Sequence, residues 1–429
     1  MRIFLYFFAI FVLCGCADVG HYANLKTKQD LSILPKFTPS IAQIDAKSYK
    51  KAFFSAWDLD ELKEGELDKS QIFWAFEGYL KNKYYFFNKQ IIPENFFKKA
   101  ITNANTEAFL SLKQKAIITQ NAVLRNLPVS TAILSEPFKQ GEGIPFDYSL
   151  DAVLDFASPV LVSHYTQDKR YAFVKSSSGW GFVLASQLKI LSNSQAKRYE
   201  NADFITPLFE RVLVYDENNF VFEARIGAIY PYNELKNGLY YAEFAGVKFQ
   251  IHQSQVASFP LEFNDLKLKH QMNELLSRPY GWGGYDFERD CSSLLKDIFA
   301  PFGLFLPRNS KAQSMAWQSF NIAHLSNEEK IALIKAHAKP FETLLYLKGH
   351  IMLYVGVVDD EILAFHAIWG LKTKDDGRLL ISQSAITTLD IGKDDKRVAK
   401  EDLLLSRLEA LSFLSLTLNE ARAISQALR

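Results

Sequence analysis

Three cysteines occur in this 429-residue sequence; two fall within the first sixteen residues, and Cys291 stands alone in the body of the protein. It sits in the stretch GWGGYDFERDCSSLL, residues 281–295. Leu294, Leu295, Ile298 and Phe299 follow it at helical spacing up to Pro301, so Cys291 opens an amphipathic helix. A helix N-terminus carries partial positive charge and unpaired backbone N–H groups. Both favour thiolate, the nucleophilic form, and the N–H groups can hold the oxyanion of an attacked carbonyl. Glycines at 281, 283 and 284 let the preceding backbone turn tightly and lie close to a substrate. A cysteine nucleophile needs a base. Of the eight histidines, His350 and His366 lie in the apolar runs GHIMLYVGVV and EILAFHAIWG, which read as two strands joined by a turn at Asp359–Asp360. One suits a general base and the other the group that orients it. A single histidine in an apolar strand is more simply a satisfied core residue; a cysteine and two histidines in this order favour the catalytic reading.

The spacing raises a difficulty. A two-residue turn at Asp359–Asp360 sets His350 opposite Trp369 and leaves His366 about 10 Å along the partner strand. Contact then requires a bulge, for which Gly356 is a candidate, or a turn centred nearer Val358. No Cys-x-x-Cys or His-x-x-x-His spacing accompanies these residues, so no metal site and no cofactor are expected.

Composition bounds the partners. The sequence is 48% hydrophobic and 23% charged with a formal net charge of +1, which argues against nucleic acid and against an anionic membrane surface as the main partner. The abundant aromatics, 35 Phe and 19 Tyr, suit large cores or small β-barrels rather than disorder. After Arg2, the run Ile3 to Cys14 is apolar but too short to span a bilayer, which takes about 20 residues. It reads as a secretory signal, and its end, LCGC, resembles a bacterial lipoprotein signal in which Cys16 is lipidated and begins the mature protein. A plain secretory signal is the alternative. In an exported protein an unpaired Cys291 is either buried and inert or kept because it reacts.

The organisation follows from changes in rhythm. A signal at 1–15 and a polar tether at 16–32 precede a helical segment at 33–114, where SQIFWAFEGYL places Ile72, Phe73, Phe76 and Leu80 on one face and PENFFKKAI opens with a proline. Two successive sets of short β-rich runs follow, at 115–196 and 197–264, each the length of a small five- to six-stranded barrel; a single larger β-domain is the alternative. From 265 to 429 helix precedes strand, and Thr417 and Glu420 have capping-box spacing before a closing helix. The expected fold class is α+β and multidomain.

The segments YGWGG, DCSSLL, GLFLPRNSKAQ, GHIMLYVG and FHAIWG, in order between Tyr280 and Gly370, resemble the NlpC/P60 cell-wall cysteine peptidases, a papain-like group. Upstream, the helical segment, LRNLP, and IPFDYSL, SPVLVSHYT and SSSGWGFV resemble the stabilising domain and bacterial SH3-like barrels of some multidomain members. The resemblance implies hydrolysis of the γ-D-glutamyl–diamino acid bond in peptidoglycan stem peptides, with Cys291 as nucleophile, His350 as base, His366 as third polar residue and Tyr280 assisting the oxyanion. It also implies that Tyr148, Asp290 and Ser292, with Ser310 nearby, grip a free L-alanine amine. For Tyr148 a barrel-core aromatic is the other reading. The expected protein is a monomeric, exported lipoprotein facing the periplasm or cell wall. Its rivals are a non-catalytic wall-binding lipoprotein and an enzyme acting on another acyl group.

Overall fold

In the computed structural model, residues 22–41, 46–60, 67–139 and 142–428 are described. Cys16 and the apolar run before it lie outside them. The fold is α+β and multidomain, with two small β-domains ahead of a larger mixed domain.

The first β-domain is one seven-stranded antiparallel sheet running from Gln114 to Ile190. The second divides into a five-stranded and a three-stranded sheet between Asp203 and Ser258. Among the described residues, the helical segment shares its core with the β-domains. Tyr49, Phe53, Phe54 and Trp57 pack against Ile117 and Phe156 of the first β-domain and Phe204 and Phe222 of the second. Phe76, Tyr79 and Phe97 pack on Phe173 and Phe182. The expected single helix through SQIFWAFEGYL is broken: helices Lys69–Ile72 and Ala75–Lys81 meet at a turn through Phe73 and Trp74. The break turns Tyr79 into the core and leaves Leu80 41% exposed, so Leu80 is not part of the buried face.

In the C-terminal domain helix α1 (Cys291–Phe299) packs against a six-stranded antiparallel sheet. Its strands are β1 (Gln318–Asn321), β2 (Thr343–Leu347), β3 (His350–Val358), β4 (Glu361–Lys372), β5 (Arg378–Thr388) and β6 (Ala410–Phe413), in the spatial order β1-β6-β2-β3-β4-β5. Leu294, Leu295, Ile298 and Phe299 of α1 are all at most 1% exposed. Each contributes about 1.5–3 kcal/mol of burial, which fixes the rotation of the helix on the sheet. The closing helix Leu418–Ala427 carries the expected capping box from Thr417 to Glu420.

The described part of the polar stretch after Cys16 runs along edge strand β5. Ala23 N–H donates to the Leu380 carbonyl at 2.7 Å, and the Gln29 amide both donates to the Ile386 carbonyl at 2.7 Å and accepts its N–H at 2.9 Å.

Candidate active site

Cys291 is the first residue of α1, and Asp290 is its N-cap in a capping box with Ser293. The thiol is 7% exposed and packs in the main core of the C-terminal domain. The backbone N–H groups of Ile351 and Ser292 point at its sulfur. Since Ile351 follows His350, strand β3 delivers the imidazole beside the helix N-terminus.

The histidine pair depends on one irregularity. From the Asp359–Asp360 turn the pairing runs Val358 with Glu361, Val357 with Ile362 and Gly356 with Leu363. The register then slips by one, to Tyr354 with Ala364 and Leu353 with Phe365. Continued, the slipped register sets His350 beside Ile368, two residues from His366 and on the same face of the sheet. Without the slip His366 would face the opposite side. Gly356 sits at this bulge with φ +123°, and a Cβ there would stand 2.5 Å from Pro35 Cγ. The result is a direct hydrogen bond, His350 Nε2 to His366 Nδ1 at 2.7 Å.

Thr387 adds a third link: His366 Nε2 lies 2.9 Å from its Oγ1. If Thr387 oxygen accepts, His366 carries its proton on Nε2 and offers the lone pair of Nδ1. His350 must then donate through Nε2–H, leaving Nδ1 unprotonated and able to take a proton from the thiol. His366 and Thr387 are buried. Burial, aided by Arg407, pushes His350 down to about 3 and likewise holds His366 well below the ordinary histidine range. Cys291 is pushed up to about 12, first by burial and then by the Asp290 carboxylate. Both shifts favour thiol and neutral imidazole at rest over the thiolate expected from the helix start alone.

Tyr280 lies close enough to Cys291 and Asp290 to feel their charge, and burial holds its phenol protonated. Asp290 and Ser292 also lie here, but neither is vacant. Arg308 donates to both Asp290 oxygens, at 3.1 and 2.5 Å, and to Ser292 Oγ at 2.8 Å. Gly283 N–H and the Ser293 side chain and N–H add further bonds to the carboxylate. Asp151 of the first β-domain adds its field to that of Asp290 against Arg308, and burial raises its carboxyl. Ser310 opens the helix Ser310–Met315 behind its cap Asn309. No hydrogen bond joins it to Cys291, Asp290 or Ser292 among the described residues; Gln313 of the same helix donates to the Ser292 carbonyl at 2.7 Å.

A cleft of about 290 Å³ opens over His350, lined by Tyr148, Tyr280, Trp282 and Trp369 among others. Tyr148 is 36% exposed, so it lies in the cleft wall and not in a core. Phe146, from the same loop of the first β-domain, packs on Tyr280, Trp282 and Trp369 with ring centroids 6.1, 5.1 and 5.4 Å apart. Gly283 and Gly284 serve this contact between domains, whereas Gly281 is closed in by Tyr285 and Glu288 of its own loop. A Cβ on Gly283 would meet the Leu150 carbonyl oxygen at 2.7 Å, and one on Gly284 would meet Val153 Cγ2 at 2.5 Å. The close approach expected toward substrate is made toward the neighbouring domain.

Sequence reasoning missed Arg308, Thr387, Gln313 and Asp151. Arg308 and Gln313 lie within GLFLPRNSKAQ, and a charged residue ending an apolar run was a usable signal. Thr387, in an ordinary β-rich stretch, offered none.

A cysteine at a helix N-terminus, packed against an antiparallel sheet that carries a coupled histidine pair, is the layout of a papain-like cysteine hydrolase. The comparisons give the particular family. Residues 277–398 match the NlpC/P60 family, 5–109 its N-terminal stabilising domain, 133–184 an SH3 domain of SH3b1 type and 192–235 one of SH3b2 type. The C-terminal domain is thus similar to the NlpC/P60 family, which supports a peptidase acting on the cell wall. An NlpC/P60 endopeptidase from Photobacterium damselae subsp. piscicida is similar in structure, with TM-score 0.79 and 24% identity, over 92% of this protein and 99% of that one. An NlpC/P60 family protein from Bacillus cereus has TM-score 0.50 and 14% identity, over 70% of this protein and 100% of that one. No match is found among curated proteins.

Proposed function

We propose that the protein hydrolyses the amide between γ-D-glutamate and the diamino acid of peptidoglycan stem peptides, held at a membrane by lipid on Cys16. The observation that supports it most is the chain His350–His366–Thr387, carried by the strand whose Ile351 N–H is aimed at the Cys291 sulfur. His350 Nδ1 takes the thiol proton as sulfur attacks the γ-carbonyl. The developing oxyanion is met by the Cys291 N–H and the Tyr280 hydroxyl. His350 then gives the proton to the departing amine as the C–N bond breaks and a thioester remains. Water, deprotonated by His350, cleaves the thioester, and the proton returns to sulfur. Such a set has no use in a purely wall-binding lipoprotein. Cys291→Ala should abolish cleavage of defined stem peptides followed by mass spectrometry, while circular dichroism stays as in the wild type. Substantial remaining activity would remove the mechanism.

A preference for a free L-alanine amine belongs to the same reading. Arg308 is one cation against two acids, Asp290 and Asp151, so a negative surplus remains for an ammonium, with Tyr148 in the adjoining wall. An N-acylated peptide lacks that charge and should be cut at least tens-fold more slowly, the scale of losing a charged partner in a closed site. Equal rates on the two peptides would refute this preference and leave the thiol chemistry standing.

A further inference from the structure

The histidine pair depends on two places in the sheet, the bulge at Gly356 and the stretch of β5 that presents Thr387. The N-terminal strap touches both. At β5, the Gln29 side-chain amide accepts the Ile386 N–H at 2.9 Å and donates to the Ile386 carbonyl at 2.7 Å, as a neighbouring strand would. It also donates to the Thr27 carbonyl at 3.0 Å, which fixes it to its own segment. Ile386 immediately precedes Thr387, whose inner side pairs with Ala364 of β4. Further along the strap, Pro35 sets its ring against the bulge: a Cβ on Gly356 would stand 2.5 Å from Pro35 Cγ and 2.9 Å from its Cδ. Strand β4, which carries His366, lies between β3 and β5, so the strap grips both neighbours of that strand.

The strap is itself held. Leu31 and Leu34 are buried in the core that contains Cys291, and Lys269 donates to the carbonyls of Leu34 and Pro35 at 3.3 and 3.0 Å. Strap and β5 also border a cavity of about 730 Å³, lined by Asn24, Thr27, Ile386 and Thr387 among others, so hydrogen bonds rather than close packing hold the strand there. We infer that Gln29 and Pro35 are positioning residues for the catalytic histidines, Gln29 by holding Thr387 in line with His366 and Pro35 by holding the bulge that turns His366 to His350. This rests on the proposed peptidase reading and deepens it by naming what fixes its proton chain. Catalytic groups must stay within about 0.5 Å of their working geometry, and a strand paired on one side alone drifts by more than that. Neither residue lines the cleft over His350, so their loss falls on the chemical step and not on substrate binding.

The test uses the full-length protein, the peptide L-alanyl-γ-D-glutamyl-meso-diaminopimelate, and NMR of the histidine ring nitrogens, which reports where His366 carries its proton. Gln29→Met keeps the length of the side chain and removes its hydrogen bonds, and Pro35→Ala removes the ring atoms at the bulge. Each should lower kcat by about fivefold or more at nearly unchanged KM, the scale of one lost hydrogen bond felt at the reacting groups. Gln29→Met should also bring a second His366 signal, from the other tautomer. Lys26→Ala breaks an exposed ion pair between the same strap and Asp394 and should change neither reading. Wild-type kcat in either variant would overturn the role of that residue. A fall in kcat that tracks the melting temperature while the His366 signals stay as in the wild type would overturn the inference, leaving a strap that only stabilises. If the wild type cleaves nothing but Gln29→Met still shifts the His366 signals, the positioning stands and the peptidase reading falls; no cleavage with unchanged signals rejects both.

Discussion

The direction of the Thr387 hydroxyl sets which way two imidazoles carry their protons. Were its hydroxyl to donate to His366 Nε2 instead of accepting, His366 would donate through Nδ1 and His350 would hold its proton on the nitrogen that must receive one. Replacing Thr387 by Val removes the acceptor, so kcat should fall by about tenfold or more at little change in KM. That is less than the roughly 10²–10⁴-fold loss expected on removing the base with His350→Ala. Thr387→Ser should recover most of the rate, and steady-state kinetics of the three variants check the order. The neutral resting pair also sets the pH dependence. His350 is depressed to about 3, so the base stays available until pH falls through that value, and the acid limb of kcat/KM should lie well below the ordinary histidine range. Stability has the matching sign. The unfolded protein protonates this histidine below about 6.5 while the folded one resists to about 3, so folding loses stability as pH falls across that window. A kinetic limb near the ordinary value would contradict the neutral imidazole at rest.

At the scale of elements, the bulge at Gly356 turns two ordinary strands into a site. Gly356→Ala puts a Cβ against Pro35 and asks an L side chain to adopt φ +123°. Relief by straightening the strand would return His366 to the far face. Activity should therefore drop far more than the melting temperature, as assays beside calorimetry would read; equal losses would mean the bulge serves stability alone. Much here was legible in advance. The period of Leu294, Leu295, Ile298 and Phe299 announced α1, and the Asp359–Asp360 turn announced the hairpin, because both are local patterns. The bulge was legible only as a requirement: the two histidines could not meet without one. Asp151 was invisible as a neighbour of Asp290 because it comes from another domain, whereas Arg308, 18 residues from Asp290, was legible only as a charge ending an apolar run. The turn at Phe73–Trp74 also escaped the periodicity, since packing on the first SH3-like domain overrides the helical pattern there.

Across the whole molecule, buried charge welds the second SH3-like domain to the residues just before the nucleophile. Glu210 of that domain holds Arg289 at 2.8 Å, Arg289 reaches Asp297 at 2.7 Å, and Arg225 joins Asp155 of the first SH3-like domain at 3.1 Å. Arg211 meets Glu288 at 2.8 Å. Thus Glu288 and Arg289 are gripped from outside their own domain, and Asp290 and Cys291 follow directly. Glu210→Gln leaves buried guanidinium groups short of a counter-charge, which should cost about 3–5 kcal/mol. Denaturant unfolding should show that loss together with reduced peptidase activity, although Glu210 touches no substrate. A variant as stable and active as the wild type would mean the network is dispensable.

Strand β5 closes one end of the six-stranded sheet, and its outer row of amides would be a template for a strand from another molecule. Two segments occupy that row. Ser277 and Tyr280 donate to the carbonyls of Ser384 and Ser382, both at 2.9 Å, while Ala23 and Gln29 engage Leu380 and Ile386 on either side. The segment that leads back toward Cys16 is therefore also a guard against self-assembly. Deleting residues 22–29 should leave the fold but open part of this edge, and the protein should then associate with rising concentration in gel filtration and light scattering. Leucine and isoleucine side chains of the same strand would be zipped into copies of themselves. Were the proposed lipid on Cys16 to hold the protein at a membrane, copies confined to a surface would meet far more often than in dilute solution, and there the guard would matter most.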